Sequence, residues 1–338
     1  FLEFIANAGG PALPVTQQAY ELTSRYVFDP VNHGVWDVKR SGQPLFLKID
    51  AFAYKHPSMV KIPNKTAPVA ETTLFKHSKA RVDVTGMTYD PTTPAKITED
   101  KHGEKQINLY TQPNWGDGPY KEKDVKKFQA FMEYLIPDEA SRNYYLDWLA
   151  AKAQNMAFRG PAILMIAPSQ GTGRSTLANM VSYMFGSENL ERVPFERLAA
   201  GGGTYNDWIV KPIIVTDETL ALGNDDNYYK VYERIKELID TTPQEVRVNP
   251  KFGKQRFQTT YASFMMFSNH ENAMKVAEND RRIYVLNNAE RPASPEYFGK
   301  LNDWLSEGTW AREVWRWLRQ RDVDVAMLVA PPVKTKAK

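Results

Sequence analysis

The chain has no cysteine. Disulfides and thiolate-held zinc are therefore excluded, and the five histidines show none of the paired spacings a zinc site needs. Any metal must be a hard ion held by oxygen. No apolar stretch approaches the roughly 18 residues of a membrane span, and no charged start leads into an apolar run of the secretory kind. The expected location is cytoplasmic. A dominant charge of one sign is missing too. The 43 basic residues face 40 acidic ones, for a net charge of +3, so any nucleic-acid surface must be local.

What remains is a chain of 338 residues, 42% hydrophobic and 25% charged, which can bury one large core or two smaller ones. It starts at Phe1 rather than methionine, and the expectation is a piece cut from something longer. The first 115 residues are broken by prolines and carry short alternating runs such as Gly34 to Val38 and Leu45 to Ile49, the pattern of a small β-rich accessory or linker domain. Residues 116–160 form a collar-like helical segment. There Phe128, Phe131, Met132 and Leu135, then Tyr145, Trp148 and Leu149, recur at helical spacing on two helices parted by Pro137 and Asp138.

Residues 161–292 read as an α/β core with a largely parallel sheet and flanking helices. Pro161 to Ala167, Trp208 to Thr216 and Tyr261 to Phe267 are apolar runs of the kind buried on both sheet faces. An amphipathic helix bearing Val231, Ile235, Leu238 and Ile239 separates the last two. Residues 293–338 hold a terminal helical segment, Tyr297 to Leu318, and a basic tail ending in Lys334, Lys336 and Lys338.

Within the core, AILMIAPSQGTGRSTLANMV places a loop with Gly171 and Gly173 between an apolar strand and a helix. Such a loop turns backbone N–H groups toward phosphate oxygens, and the helix's positive end favours the anion. Against the pattern G-x-x-x-x-G-K-[ST], Pro168 stands at the first glycine and Arg174 at the lysine. Arg174 remains cationic, but its planar fork is bulkier than an ammonium, so nucleotide binding should survive better than hydrolysis. Thr172 lies within the loop, Ser175 supplies a hydroxyl for Mg²⁺, and Thr176 packs or caps behind it.

The run WIVKPIIVTDE ends in Asp217, able to hold the Mg²⁺ shell, and Glu218, able to orient and deprotonate a water. FMMFSN ends in Asn269, placed to sense a γ-phosphate. ENDRRIYVL presents Arg281 and Arg282, of which Arg282 is the preferred finger toward a neighbouring subunit. VRVNPKFGKQRFQ reads as a hairpin with Arg247, Lys251, Phe252, Lys254 and Arg256, a cationic and aromatic element suited to single-stranded nucleic acid. Taken singly, each has a plainer reading. The loop can be a tight connection, the acidic pair a solvated turn, Asn269 a turn residue and the hairpin an exposed element with no partner.

Their order resembles the superfamily-three helicase region of phage and viral replication proteins, especially a primase-polymerase fused to such a helicase. The similarity spans roughly Lys121 to Asn288, and INLYTQPNW before it is similar to the linker of phage primase proteins. The family's site residues fall on Gly171, Gly173, Arg174 in the lysine slot, Ser175, Asp217, Glu218, Lys251, Asn269 and Arg282. The resemblance implies a homo-hexameric AAA+-like ring with ATP or another nucleoside triphosphate, and Mg²⁺, between subunits and DNA, in single-stranded form, in the channel. It also implies an N-terminal primase-polymerase module in the intact chain and an infected host cell as the setting. Two other readings stay open: an ATPase-impaired ring scaffold that grips DNA for the polymerase, and a monomeric P-loop kinase.

Overall fold

The computed structural model describes residues 20–62, 66–199, 205–216, 235–251, 255–269 and 280–330. The chain divides into two compact units, residues 1–111 and 112–338.

In the first unit β1 (Tyr26–Asp29), β2 (Gly34–Asp37) and β3 (Leu45–Lys48) form an antiparallel meander. Successive residues point to opposite faces. Tyr26 and Val35 join Leu22, Phe52 and Phe75 in one apolar cluster. Val27 and Trp36 join Val84 and Ile107 in another. Ile49, expected to end a strand, instead opens α1 (Ile49–Lys55), where Asp50 lies in the first turn and favours the helix dipole. β4 (Met59–Val60), β5 (Val69–Ala70) and α2 (Glu71–His77) lead to a second small sheet of β6 (Gly86–Thr88), β7 (Ile97–Glu99) and β8 (Lys105–Asn108). Its order is β6-β8-β7.

The second unit opens with α3 (Glu122–Leu135) and α4 (Glu139–Gln154). The seven apolar side chains at helical spacing are all fully buried. Pro137 cannot continue a helix, and Asp138 starts the next by accepting from the Ser141 N–H at 2.9 Å. Then come β9 (Ala162–Ile166), α5 (Arg174–Phe185), β10 (Leu190–Arg192), α6 (Phe195–Ala199) and β11 (Ile213–Thr216). β12 (Gln244–Val248), β13 (Arg256–Thr260), β14 (Ser263–Ser268) and β15 (Ile283–Asn287) follow. The unit closes with α7 (Pro295–Ser306), α8 (Trp310–Gln320) and α9 (Val325–Val329).

Five strands make one parallel sheet in the order β10-β11-β14-β9-β15. Every residue of β9, β11 and β14 is buried, as near-continuous apolar runs between helices require. The strand that carries the glycine loop, β9, lies between β14 and β15, so the loop emerges at the sheet's carboxyl edge next to the end of β14.

The sheet is tied to α4 by Lys152, a fully buried lysine whose ammonium donates to the carbonyls of Phe158 at 2.5 Å and Tyr261 at 2.9 Å. The Ser263 hydroxyl is 3.4 Å away. Burial, with the nearby Arg159 charge, holds its pKa well below the ordinary lysine value. The C-terminal helices are tied to α3 in turn. Trp304 Nε1 donates to Asp124 at 2.8 Å, and the buried Glu313 accepts the N–H of Lys121, the residue before α3, at 2.8 Å.

Two expected elements differ. Trp208 to Thr216 is not one strand. Asp207–Val210 is a 3₁₀ turn, Lys211 and Pro212 interrupt, and only Ile213–Thr216 is extended. Tyr297 to Leu318 is two helices, because Gly308, at φ +70°, ends the first in the left-handed region. Ile235 and Ile239 of the amphipathic segment are buried, while Val231 lies outside the described residues.

Candidate functional site

The loop from Gln170 to Gly173 joins β9 to α5, and its shape depends on two glycines in the left-handed region, Gly171 at φ +75° and Gly173 at φ +103°. Gly173 is also the residue immediately before α5, and a Cβ there would sit 3.2 Å from Phe131 and 3.5 Å from Phe298. A side chain at Gly173 would be strained twice over. The loop and the first turn of α5, Gln170 to Thr176, line a cavity of about 570 Å³ together with Phe267, Ser268, Asn269, Phe298 and Asn302. That volume is in the ordinary range for a small-molecule site.

Three features give the cavity its chemistry. The amino end of α5 faces it with first-turn N–H groups that have no acceptor within the helix, and with positive partial charge. Thr172 is 1% exposed, yet its hydroxyl has no hydrogen-bond partner among the described residues. A buried hydroxyl left unpaired costs about 1–3 kcal/mol, and this one is closed off from the open space of the cavity, so only a shift of the loop would bring it to a ligand. Ser175 and Asn302 both line the cavity with polar atoms that hydrogen-bond to no described residue.

The guanidinium of Arg174 does not simply project into the cavity. It donates to the Ser268 carbonyl and to Asn269 Oδ1. It thereby bridges the start of α5 to the end of β14 and joins two of the expected site residues. Gly171, Thr172, Gly173, Arg174, Ser175, Thr176 and Asn269 all meet at this one cavity. Asp217 and Glu218 lie outside the described residues. The strand before them, β11, ends at Thr216, a buried residue aligned with Met266 on the adjacent β14. The Thr216 hydroxyl is a second one with no partner among the described residues.

Arg281 and Arg282 are at the opposite edge of the sheet. Arg282 precedes β15, and its carbonyl accepts from Ala162, the first residue of β9, at 2.8 Å. β9 separates this pair from the loop by five residues, about 16 Å of extended chain. Arg282 Nε lies 3.5 Å from Asp240 Oδ2 without hydrogen-bond geometry. Burial raises the Asp240 pKa, but hydrogen bonds from Thr242 and the charges of Arg282 and Arg159 leave it below the usual carboxylate value. Arg281 is exposed.

β12 and β13 pair as the expected antiparallel hairpin. Asn206 anchors it, its Nδ2 donating to the Arg247 carbonyl at 2.8 Å and its Oδ1 accepting the Asn249 N–H at 2.6 Å. Arg247 and Lys251 are exposed, whereas Phe252 and Lys254 lie outside the described residues. Arg256 behaves differently. It pairs with buried Val248, is itself half-buried and donates from Nε to Gln258 at 3.2 Å. Burial lowers its pKa, against the pull of Asp207. Its neighbour Phe257 takes the outer face instead, opposite Arg247 and 67% exposed. Sequence reasoning passed over Phe257, Phe298 and Asn302. The two-residue strand period could have found Phe257, since it falls in phase with Arg247 across the turn.

A model of a family of unknown function, DUF5906, matches residues 165–282, less than half of the chain. No curated protein matches. Among solved structures, the chain is similar to the apo NrS-1 C-terminal region (305–718), at 20% identity and TM-score 0.70, covering 96% of this chain and 73% of that one. An A-form apo structure of the NrS-1 C-terminal region matches at 20% identity and TM-score 0.66, over 94% and 72%. At such identity the likeness is one of fold. Among the described residues, no helix is long and apolar enough to cross a membrane.

Proposed function

We propose that the chain is the nucleotide-driven motor region of a DNA-replication protein, a superfamily-three, AAA+-like helicase or translocase that works as a ring on single-stranded DNA. One observation carries this reading. A two-glycine loop and a helix amino end share one cavity with Ser268 and Asn269 at the tip of the adjacent parallel strand. The likeness of fold to the NrS-1 C-terminal region supports it.

In this reading the N–H groups of the loop and of α5 hold the phosphates of ATP, with Arg174 as the cation beside them. Ser175 fits the hydroxyl ligand of Mg²⁺, since it opens onto the cavity with no competing hydrogen bond to a described residue. Asp217 would complete the shell, and the ion would neutralise charge on the phosphates. Glu218 would orient and deprotonate the attacking water, with Asn269 hydrogen-bonding the terminal phosphate. Arg281 and Arg282, remote from their own loop, would serve a neighbouring subunit. Arg282 would leave Asp240 to do so.

The test is phosphate release by purified protein with ATP, Mg²⁺ and single-stranded DNA. Release should exceed that of Glu218→Gln. Rates equal to that variant would sink the motor.

A second reading, a ring scaffold that grips DNA while hydrolysing little ATP, is favoured by the engagement of Arg174 with Ser268 and Asn269. A cation held by protein acceptors is less available to stabilise charge on a transferred phosphoryl group. Arg174→Lys discriminates. A gain in hydrolysis of at least about tenfold marks an impaired motor, and no gain marks the scaffold.

A further inference from the structure

We infer that Phe298 and Asn302 of α7 form the wall on which the base of a bound nucleotide rests, and that this wall selects adenine. The inference rests on the nucleotide reading above and adds the part of the ligand that the loop itself does not contact.

A loop that cradles phosphates accounts for one side of the cavity. The other side is supplied by α7, from far along the chain. Phe298 and Asn302 are four residues apart and so share one face of that helix. Phe298 approaches the loop closely, with its Cε1 3.5 Å from the Cβ position at Gly173, but it is only half-buried. An aromatic ring at the edge of a phosphate cradle offers a face to a base, and stacking of this kind tolerates any base.

The ring is fixed in place. Tyr297 lies edge-on at 5.5 Å and 85°, and Tyr134 at 6.2 Å and 81°. The helix beneath it is fixed too. The Ser294 hydroxyl caps it by accepting from the Tyr297 N–H at 3.2 Å, and Trp304 is tied to Asp124 at 2.8 Å. The segment before it is pinned by the Tyr134 hydroxyl, which donates to the Arg291 carbonyl at 3.2 Å and accepts the Ala293 N–H at 2.9 Å. A wall this constrained gives up little entropy when a ligand arrives.

Selection falls to Asn302. Its carboxamide is exposed, lines the cavity and bonds to no described residue. A carboxamide offers one donor side and one acceptor side. Adenine presents the complementary pair, the N6 amino donor beside a ring-nitrogen acceptor. On the edge that carries N7, guanine presents two acceptors, O6 and N7, so one pole of an amide reading that edge would face a like pole, and it is on this edge that Asn302 would select adenine.

Equilibrium binding of ATP, GTP and inorganic tripolyphosphate to the full chain tests this. Wild type should prefer ATP to GTP. Phe298→Leu, which keeps bulk against Gly173 but removes the aromatic face, should weaken ATP by about tenfold or more and leave tripolyphosphate unchanged. Phe298→Tyr should retain ATP affinity. Asn302→Leu should bring the ATP and GTP affinities together. Equal losses of ATP and tripolyphosphate in Phe298→Leu would assign Phe298 to loop support and overturn the base wall, as would an unchanged ATP-to-GTP ratio in Asn302→Leu. Wild-type binding of tripolyphosphate with ATP no tighter would overturn the base wall alone. Binding of neither ligand would remove the nucleotide reading and this inference with it.

Discussion

Thr172 is a residue that gains nothing from the fold as it stands. Its hydroxyl is buried in a loop whose glycines already set the backbone, and no described residue answers it. Valine is nearly isosteric and carries no polar atom to strand. Thr172→Val should therefore leave the melting temperature of the free protein unchanged or slightly raised, and leave the rise produced by saturating ATP intact. A thermal shift assay with and without ATP reads both. A lower melting temperature would show that the hydroxyl serves the protein, and a diminished ATP response that it reaches the ligand. Lys152 is the opposite case, with its ammonium facing two carbonyls and a hydroxyl. Nothing in the sequence marks it, because a lysine on an amphipathic helix reads as solvated surface. Only the meeting of α4 with the start of β14 shows that this one is internal.

At the scale of the element, the hairpin separates what composition suggests from what register permits. Five cationic or aromatic positions stand out in the sequence, and strand pairing sorts those that are described. Arg247 points outward and Arg256 turns toward the body, because Val248 and Arg256 pair on the inner face. Phe257, opposite Arg247, completes an outward pair of cation and ring. Arg247→Ala combined with Lys251→Ala should flatten the dependence of single-stranded DNA affinity on salt, by about 0.7 in log–log slope for each phosphate that is no longer neutralised. Phe257→Ala should weaken binding at every salt concentration by roughly fivefold or more without altering the slope. Titration of a labelled oligonucleotide at several salt concentrations measures both. If neither change alters affinity, the hairpin does not touch the DNA.

At the scale of the whole molecule, the sheet places the two proposed halves of catalysis at opposite edges. The loop leaves the carboxyl end of β9, and Arg282 stands where β9 begins. Within one chain they cannot meet at a phosphate, so a finger role for Arg281 or Arg282 requires a second subunit. The mass of the particle, measured by light scattering with ATP and single-stranded DNA present, should be a multiple of 38.6 kDa, with six copies as the expected number. A single copy under all these conditions would leave both the motor and the scaffold without their ring.

The sequence by itself determined the parts whose signal is local. Unbroken apolar runs mark strands buried on both faces, spacing near 3.6 marks α3 and α4, and a Gly-Thr-Gly turn before a helix marks an anion cradle. These depend on neighbours within a few residues. Register and long-range approach were decided only by the tertiary structure. Strand pairing determined which side of the hairpin Phe257 takes, and docking of the C-terminal helices brought Phe298 and Asn302 to a loop far away in sequence. The physical reason is that side-chain direction along a strand and the approach of distant segments are set by which surfaces bury together, and a linear pattern does not carry that information.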